Sequence, residues 1–332
     1  MSKPKVYVTR RIPEAALQIL RPVCEIRQWD NDDPVPRSIL REEVSRVDGL
    51  YCLLTERIDA ELLDGAPQLK IVANMAVGYD NVDLAAATAR GVMVTNTPGV
   101  LTETTADLAF ALILAASRRL GEANRFLLDG QWSSWGPMVL TGQDVYGSTL
   151  GLIGLGRIGQ AVARRARGFD MRLLYYDVVR NEQAEQALGI QWLPLDDLLR
   201  QADIVSIHAP LTAETHHLIG EKQLRLMKRT AVLVNTARGP LVDEKALEQA
   251  LREGWIFAAG LDVFEREPVS PDHPLVGLPN VVALPHIGSA SVATRTRMAT
   301  LAAENLVAGL EGRTPPSLLN PEAVTIRTAR QG

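Results

Sequence analysis

The chain has 332 residues, enough for two domains, and its 46% apolar and 22% charged residues describe a globular protein with a sizeable core. A net charge of -4 without any Lys/Arg run argues against nucleic acid or an anionic membrane as partner, and the pairs Arg10–Arg11, Arg118–Arg119 and Arg164–Arg165 read as solvated surface. The longest apolar run, Leu108–Ala116, is too short to cross a bilayer, no apolar signal core opens the chain, and Cys24 and Cys52 form no CxxC pair, so a cytoplasmic protein with buried free thiols is expected.

Strand-like and helix-like runs alternate along the chain, which predicts an α/β fold with largely parallel sheet. A strand at Val6–Thr9 is followed by a helix from Pro13 to Leu20. Then come a strand near Leu50–Leu54, a helix around Asp59–Asp64, a strand at Leu69–Ala73, a helix at Asp83–Arg90 and a short strand at Met93–Thr95. A long apolar helix is expected from Thr102 to Leu120, with a Trp-rich loop after it at Trp132-Ser133-Ser134-Trp135. Further strands are expected at Thr149–Ile153, Arg172–Asp177, Ile204–Ile207, Ala231–Asn235, Phe257–Asp262 and Val281–Leu284. Another apolar helix covers Glu304–Leu310, and the tail after Pro321 reads as frayed.

The strand Thr149–Ile153 runs into Gly154-Leu155-Gly156-Arg157-Ile158-Gly159 and then a helix from Gln160 to Arg167, which is GxGxxG in its strand–turn–helix context. Gly154 permits the tight turn, Gly156 lets backbone approach a pyrophosphate, and Gly159 lets helix pack on strand. Asp177 closes the next strand, eighteen residues beyond Gly159, where an acid grips the ribose hydroxyls of NAD. That carboxylate repels a 2′-phosphate while nearby Arg180 softens the repulsion, so NAD(H) is the expected cofactor and NADP(H) the alternative. His208-Ala209-Pro210 follows a strand and is placed beside the adenosine. No metal motif appears: His208, His216, His217 and His273 lack ligand spacing such as HExxH and read as structural or surface residues.

Three later strands end in chemistry-bearing residues: Asn235-Thr236-Ala237-Arg238-Gly239, Asp262-Val263-Phe264-Glu265-Arg266-Glu267-Pro268, and Pro285-His286-Ile287-Gly288-Ser289. Ligands of open α/β sheets bind at carboxyl ends of strands, and an arginine fork there suits a carboxylate. With GLGRIG and Asp177, the segments NTARG, GLDVFEREP and PHIGS make the chain resemble the D-isomer-specific 2-hydroxyacid dehydrogenase family over essentially its whole length. The resemblance implies a Rossmann-type cofactor domain, residues 100–287, and a discontinuous flavodoxin-like substrate domain, residues 1–99 and 288–332, closing on a hinge. It implies a catalytic trio of Arg238, Glu267 and His286. His286 is the proton donor, Glu267 orients and charges the imidazole, and Arg238 binds carboxylate and polarises the carbonyl, with Glu265 as the other candidate acid. It further assigns Leu155, Arg157, Ile158, Thr105, Pro210, Thr215, Thr236, Ala237, Asp262 and Gly288 to the cofactor and Ser289 to the substrate.

The loop Asn74-Met75-Ala76-Val77-Gly78-Tyr79-Asp80-Asn81 resembles the family's VGxDN loop, in which the N–H groups of Val77 and Gly78 hold the substrate carboxylate. Val6–Pro13, Cys52-Leu53-Leu54 and the Trp loop resemble the glyoxylate/hydroxypyruvate reductase branch. There Leu54 borders a small pocket and Trp135 reaches the partner's substrate across a homodimer. The expected reaction is reduction of small 2-oxo acids, glyoxylate to glycolate and hydroxypyruvate to D-glycerate. Two alternatives are a phosphite dehydrogenase, against which Val77 stands where a lysine is required, and a dinucleotide-sensing corepressor, which needs longer extensions.

Overall fold

Every strand-to-strand pairing in the computed structural model, which describes residues 2–331 and side chains as far as Arg327, is parallel, and the strands form two sheets. Each sheet belongs to one of two units, Met1–Leu101 with Ala290–Gly332 and Thr102–Ser289.

The first unit runs β1 (Lys5–Val8), α1 (Glu14–Leu20), β2 (Glu25–Gln28), α2 (Arg37–Val44), β3 (Gly49–Cys52), α3 (Ala60–Asp64), β4 (Ile71–Asn74), α4 (Leu84–Ala89) and β5 (Met93–Thr95). The sheet order β2-β1-β3-β4-β5 is the doubly wound, flavodoxin-like one. β3, β4 and β5 are buried throughout because helices cover both faces. Tyr7, Leu50, Cys52, Val72 and Val94 pack with Leu40, Val44, Leu62, Leu63 and Ala87 of α2 to α4. On the opposite side Tyr51 donates to the carbonyl of Ala299, in the helix Val292–Leu310. Asp59 and Asp83 cap α3 and α4 by accepting from Leu62 and Ala86 N–H. Asn320, whose side-chain oxygen accepts from Val94 N–H, ties the returning C-terminal segment to β5.

The second unit contains α5 (Thr102–Ser117), α6 (Leu120–Leu128), β6 (Thr149–Ile153), α7 (Arg157–Ala166), β7 (Arg172–Tyr176), α8 (Glu182–Leu188), β8 (Gln191–Trp192), α9 (Leu195–Gln201), β9 (Ile204–Ile207), α10 (Glu221–Leu226), β10 (Val232–Asn235), α11 (Glu244–Arg252), β11 (Ala258–Leu261) and β12 (Val281–Ala283). Its sheet order β12-β11-β10-β9-β6-β7-β8 is a Rossmann sheet with one added strand, and the order reverses between β6 and β9. Ile153, Leu174, Val205, Leu233 and Leu261 face α9, α10 and α11. Leu150, Leu152, Tyr175, Val232 and Val234 face α5 and α7.

The strands expected at Thr149–Ile153, Ile204–Ile207 and Met93–Thr95 have those bounds. The expected helix from Thr102 to Leu120 is in fact two, because Arg119 takes a left-handed φ of 54° and restarts the chain as α6. The tail expected to fray is helical from Glu322 to Gln331. The helix after the glycine loop begins at Arg157 rather than Gln160, so Gly159 lies in its first turn. β2, α2 and β8 are additions to the expected elements: β2 is a half-exposed edge with polar alternation and β8 has two residues. Arg10 is no solvated surface residue; its side chain is 15% exposed and paired with buried Glu56. Both cysteines are free and buried.

Gly151 on β6 is where α9 comes nearest: a Cβ there would stand 2.6 Å from Leu198 Cδ2 and 3.0 Å from Ala202 Cβ. Overpacking of this kind costs about 1–3 kcal/mol. Gly151→Ala is therefore expected to lower the denaturant midpoint of unfolding by that equivalent, measured by circular dichroism.

Candidate active site

The glycine loop sits at the reversal of strand order. Gly154 has φ 93°, and a Cβ on it would lie 2.8 Å from the backbone of His208 and Ala209 after β9. A Cβ on Gly159 would lie 2.3 Å from the Gly154 carbonyl oxygen, whereas one on Gly156 would meet nothing within 4 Å. Gly156 is the N-cap of α7 and supplies no side-chain cap, so the positive end of the helix opens onto free space, as an anion requires. Arg157, its first residue, is exposed and Ile158 half-buried, while Leu155 is buried.

Asp177 is drawn to this loop from β7. Its Oδ2 accepts from Leu155 N–H at 2.9 Å and its Oδ1 from Val178 N–H at 2.8 Å, while Trp192 Nε1 donates to its carbonyl at 3.1 Å. Across the switch point, His208 Nε2 lies 2.9 Å from Ser206 Oγ, and burial pushes this imidazole down to about 4, so it is neutral at pH 7. Thr215 closes the following turn, donating to Pro210 O at 2.7 Å and accepting from Thr212 N–H at 2.8 Å. At the end of β10 the buried Thr236 hydroxyl has no hydrogen-bond partner among the described residues, a cost that a ligand acceptor or donor would remove. An uncapped helix end, open space at Gly156, and an orphaned hydroxyl all fit a dinucleotide.

The three later strand ends are knitted together by their loops. Asn235 holds the first: its Oδ1 accepts from Ala237 N–H at 3.0 Å and its Nδ2 donates to Arg238 O at 2.8 Å. Arg238 Nη1 donates to Ala237 O at 2.7 Å. Gly239 then passes so near the next loop that a Cβ would fall 1.8 Å from Phe264 C and 2.3 Å from Glu265 N. In that second loop Glu267 Oε1 accepts from Phe264 N–H at 3.0 Å, and Oε2 meets His286 Nδ1 at 2.7 Å. Burial pushes the Glu267 carboxyl up, but the His286 hydrogen bond and charge, Phe264 N–H and the charge of Arg238 outweigh it and hold it below the usual range.

The third loop hangs on Asp262, which is fully buried. Its two oxygens accept from Ile287 and Gly288 N–H, both at 2.7 Å, and its carbonyl accepts from His286 N–H at 2.9 Å. Burial raises the Asp262 carboxyl despite these bonds. His286 is held at φ 54°, a left-handed conformation that costs about 1–3 kcal/mol in a non-glycine residue and clusters at functional sites. A Cβ on Gly288 would lie 3.2 Å from Asp262 Oδ2 and 3.5 Å from Cγ2 of the buried Thr105 of α5. Glu265, the other candidate acid, is engaged elsewhere: Oε1 meets His217 Nε2 at 2.9 Å and accepts from Glu244 N–H at 3.1 Å. Glu244 in turn accepts from Glu265 N–H at 2.8 Å and pairs with His273 at 3.2 Å.

In the first unit the loop after β4 is fixed by its carbonyls. Asn74 Nδ2 donates to Gly78 O at 3.0 Å and Asn96 Nδ2 to Val77 O at 2.8 Å. No hydrogen bond to a described residue uses the N–H of Val77 or Gly78. Asn81 Nδ2 ties this loop to Leu53 O and Glu56 O at 3.1 and 2.9 Å, next to half-buried Leu54. Trp132 and Trp135 are 59% and 79% exposed in the loop after α6, and Ser289, half-buried, closes the second unit. Asn235, Asn96, Glu244 and Glu56 are not singled out by sequence reasoning. Asn235 opens the NTARG segment, a signal that was available; each of the other three also bonds a partner far away in the chain, Asn96 with Val77, Glu244 with Glu265 and Glu56 with Thr9.

The family model for the D-isomer specific 2-hydroxyacid dehydrogenase NAD binding domain matches residues 110–288. The chain belongs to this family. It is an NAD(P)-dependent oxidoreductase. This dehydrogenase is similar to the glyoxylate reductase of Korarchaeum cryptofilum, 57% identical over 326 residues with 98% of each chain covered. Among solved structures it is similar to a protein of Thermus thermophilus, with TM-score 0.88, 50% identity and 95% and 99% of the chains covered. It is also similar to the NADPH-dependent glyoxylate/hydroxypyruvate reductase of Sinorhizobium meliloti in complex with NADP and malonate, with TM-score 0.84, 37% identity and 97% and 98% covered. Among the described residues, no helix of the dehydrogenase is long and apolar enough to cross a membrane.

A methyl group at residue 239 must push the Phe264–Glu265 backbone away and with it the Glu267 side chain. Gly239→Ala is expected to reduce kcat on the order of 10²-fold, the scale of a 1 Å misplacement, measured by steady-state oxidation of the reduced cofactor.

Proposed function

We propose that this oxidoreductase reduces small 2-oxo acids, glyoxylate to glycolate and hydroxypyruvate to D-glycerate, with NADH preferred as the reductant. The observation that carries the reading is the 2.7 Å pair of His286 Nδ1 and Glu267 Oε2, beside the charge of Arg238, at neighbouring strand ends of a dinucleotide-binding unit. Its support in the relatives is the glyoxylate reductase named above.

The bound dihydronicotinamide supplies the hydride. His286, with Nδ1 occupied by Glu267, presents Nε2 as the proton donor to the carbonyl oxygen. Glu267, kept ionised by its hydrogen bonds, holds His286 Nδ1 and orients the ring. Arg238 binds the carboxylate and polarises the carbonyl toward the developing alkoxide. Asp262, both of whose oxygens are taken by the His286 loop, acts as a positioning residue. We assign the unused N–H groups of Val77 and Gly78 to a carboxylate nest, Leu54 to the wall of a small pocket and Ser289 to substrate. Residues 102–289 are the dinucleotide domain and the remaining unit the substrate domain. The exposed Leu127, Leu128, Trp132, Trp135, Met138 and Val139 support a homodimer, with Trp135 serving the partner's site.

For the cofactor, the Asp177 carboxylate beside Leu155 stands where a 2′-phosphate would be repelled, and this supports NADH. The Sinorhizobium relative is NADPH-dependent, which keeps the phosphorylated form as the alternative. The value of kcat/KM is expected to be higher for NADH than NADPH, and comparable values overturn the assignment. His286→Ala is expected to lose on the order of 10²-fold or more in kcat. Full activity in that variant, or no turnover of glyoxylate, hydroxypyruvate, pyruvate or larger 2-oxo acids by the native protein, overturns the reading. Glu267→Gln, which replaces the carboxylate that holds His286 Nδ1 with a neutral amide, should lower kcat on the order of tenfold or more in the same assay. Glu265→Gln, whose carboxylate meets His217 instead, should leave kcat nearly unchanged.

A further inference from the structure

The cleft beside the glycine loop is lined by Leu155, Gly156, Asp177, Val179, Arg180 and neighbouring residues of the α8 cap. Arg180 has the shape and charge to grip a 2′-phosphate. Its fork is already closed on an acid from one turn inside α8: Nε donates to Glu185 Oε1 at 2.8 Å and Nη2 to Oε2 at 2.7 Å. Glu185 is held from behind. Tyr175 on β7 donates its hydroxyl to Oε1 at 2.7 Å, and the Glu185 side chain is 15% exposed against 57% for Arg180. The same tyrosine oxygen accepts from Asn181 N–H at 2.8 Å, and Asn181 caps α8 by accepting from Ala184 N–H at 3.0 Å.

Strand, cap and helix thus hold one carboxylate in place before the arginine reaches it. Most exposed ion pairs are weak because two mobile side chains must be ordered together. Here one partner is ordered by Tyr175, and a two-pronged Arg–carboxylate pair is the strong class of charged hydrogen bond. A phosphate arriving at the cleft must first open both bonds.

We propose that Glu185 is a cofactor-selectivity residue: by holding the Arg180 fork it withholds that cation from a 2′-phosphate, so NADPH is disfavoured by an occupied arginine as well as by Asp177. This rests on the reading that the cleft takes the adenosine ribose. Removing the repulsion at Asp177 leaves the arginine engaged, and selectivity then depends on two coupled sites.

The test is titration calorimetry of the full-length protein with two probes, 5′-AMP and adenosine 2′,5′-bisphosphate. Glu185→Gln keeps the size of the side chain and an oxygen for Tyr175 while losing the charge and the second acceptor. It should shift the ratio of the two affinities toward the bisphosphate on the order of tenfold, the scale of one charged hydrogen bond. Adding Arg180→Ala to that variant should abolish the gain. Glu185→Asp, which withdraws the carboxylate by one methylene, should move the ratio in the same direction and serves if the glutamine variant is unstable. The ratio of kcat/KM for NADPH over NADH should follow. An unchanged affinity ratio, or a gain that survives Arg180→Ala, overturns the proposal while 5′-AMP binding upholds the assignment of the cleft. Failure of 5′-AMP to bind any of these proteins overturns both.

Discussion

A carboxylate without any access to water must have its charge met by protein donors, and Asp262 meets that demand with the backbone of a single loop. The N–H groups of Ile287 and Gly288 each approach to 2.7 Å, and the N–H of His286 closes on the Asp262 carbonyl. This clamp holds His286 in a left-handed conformation that residues other than glycine populate sparsely. With the backbone set, the ring meets Glu267; Glu267 is set by Phe264 N–H; and the Phe264–Glu265 backbone is pressed against Gly239, next to Arg238. The candidate trio is therefore a chain of short backbone dependencies that begins at one buried acid.

The same device recurs wherever this protein needs a loop in a defined shape. Asn235 clasps Ala237 and Arg238, Thr215 clasps Pro210, and Glu244 and Glu265 clasp each other through reciprocal N–H bonds. In the first unit Asn74 and Asn96 take the carbonyls of Gly78 and Val77, whose N–H groups have no hydrogen-bond partner among the described residues. Parallel strands bring loops together at their carboxyl ends, but strands do not shape loops. Side chains that hydrogen-bond backbone do so, and glycine admits close approaches at residues 154, 159 and 239 where a Cβ would stand under 3 Å from neighbouring backbone.

The two acids of the GLDVFEREP segment show where reading a sequence stops. Glu265 and Glu267 are separated by one residue, and nothing in their order says which faces a histidine. In the fold both do: Glu265 faces His217 and Glu267 faces His286. Only the second histidine lies on a loop at a neighbouring strand end. Arg180 is a similar case. Its charge and its place after β7 are plain from sequence, but it is engaged by Glu185, whose carboxylate also accepts from Tyr175, ten residues before Glu185 and on a different element.

What the sequence by itself determined were the features with a short period or short range. These are the alternation of buried strands with helices, the strand–glycine–helix turn at Gly154–Gly159, and the residue types at the strand ends. Each follows from backbone sterics and burial within a few residues. The break at Arg119, the helix after Pro321 and the polar edge strand β2 were decided by packing, since their local composition is compatible with more than one conformation. The tertiary structure also decided what surrounds each charge. Asp177 was legible at once as an acid after a strand. That its oxygens accept from Leu155 and Val178, while Arg180 beside it is held by Glu185, depends on which elements the sheet brings side by side.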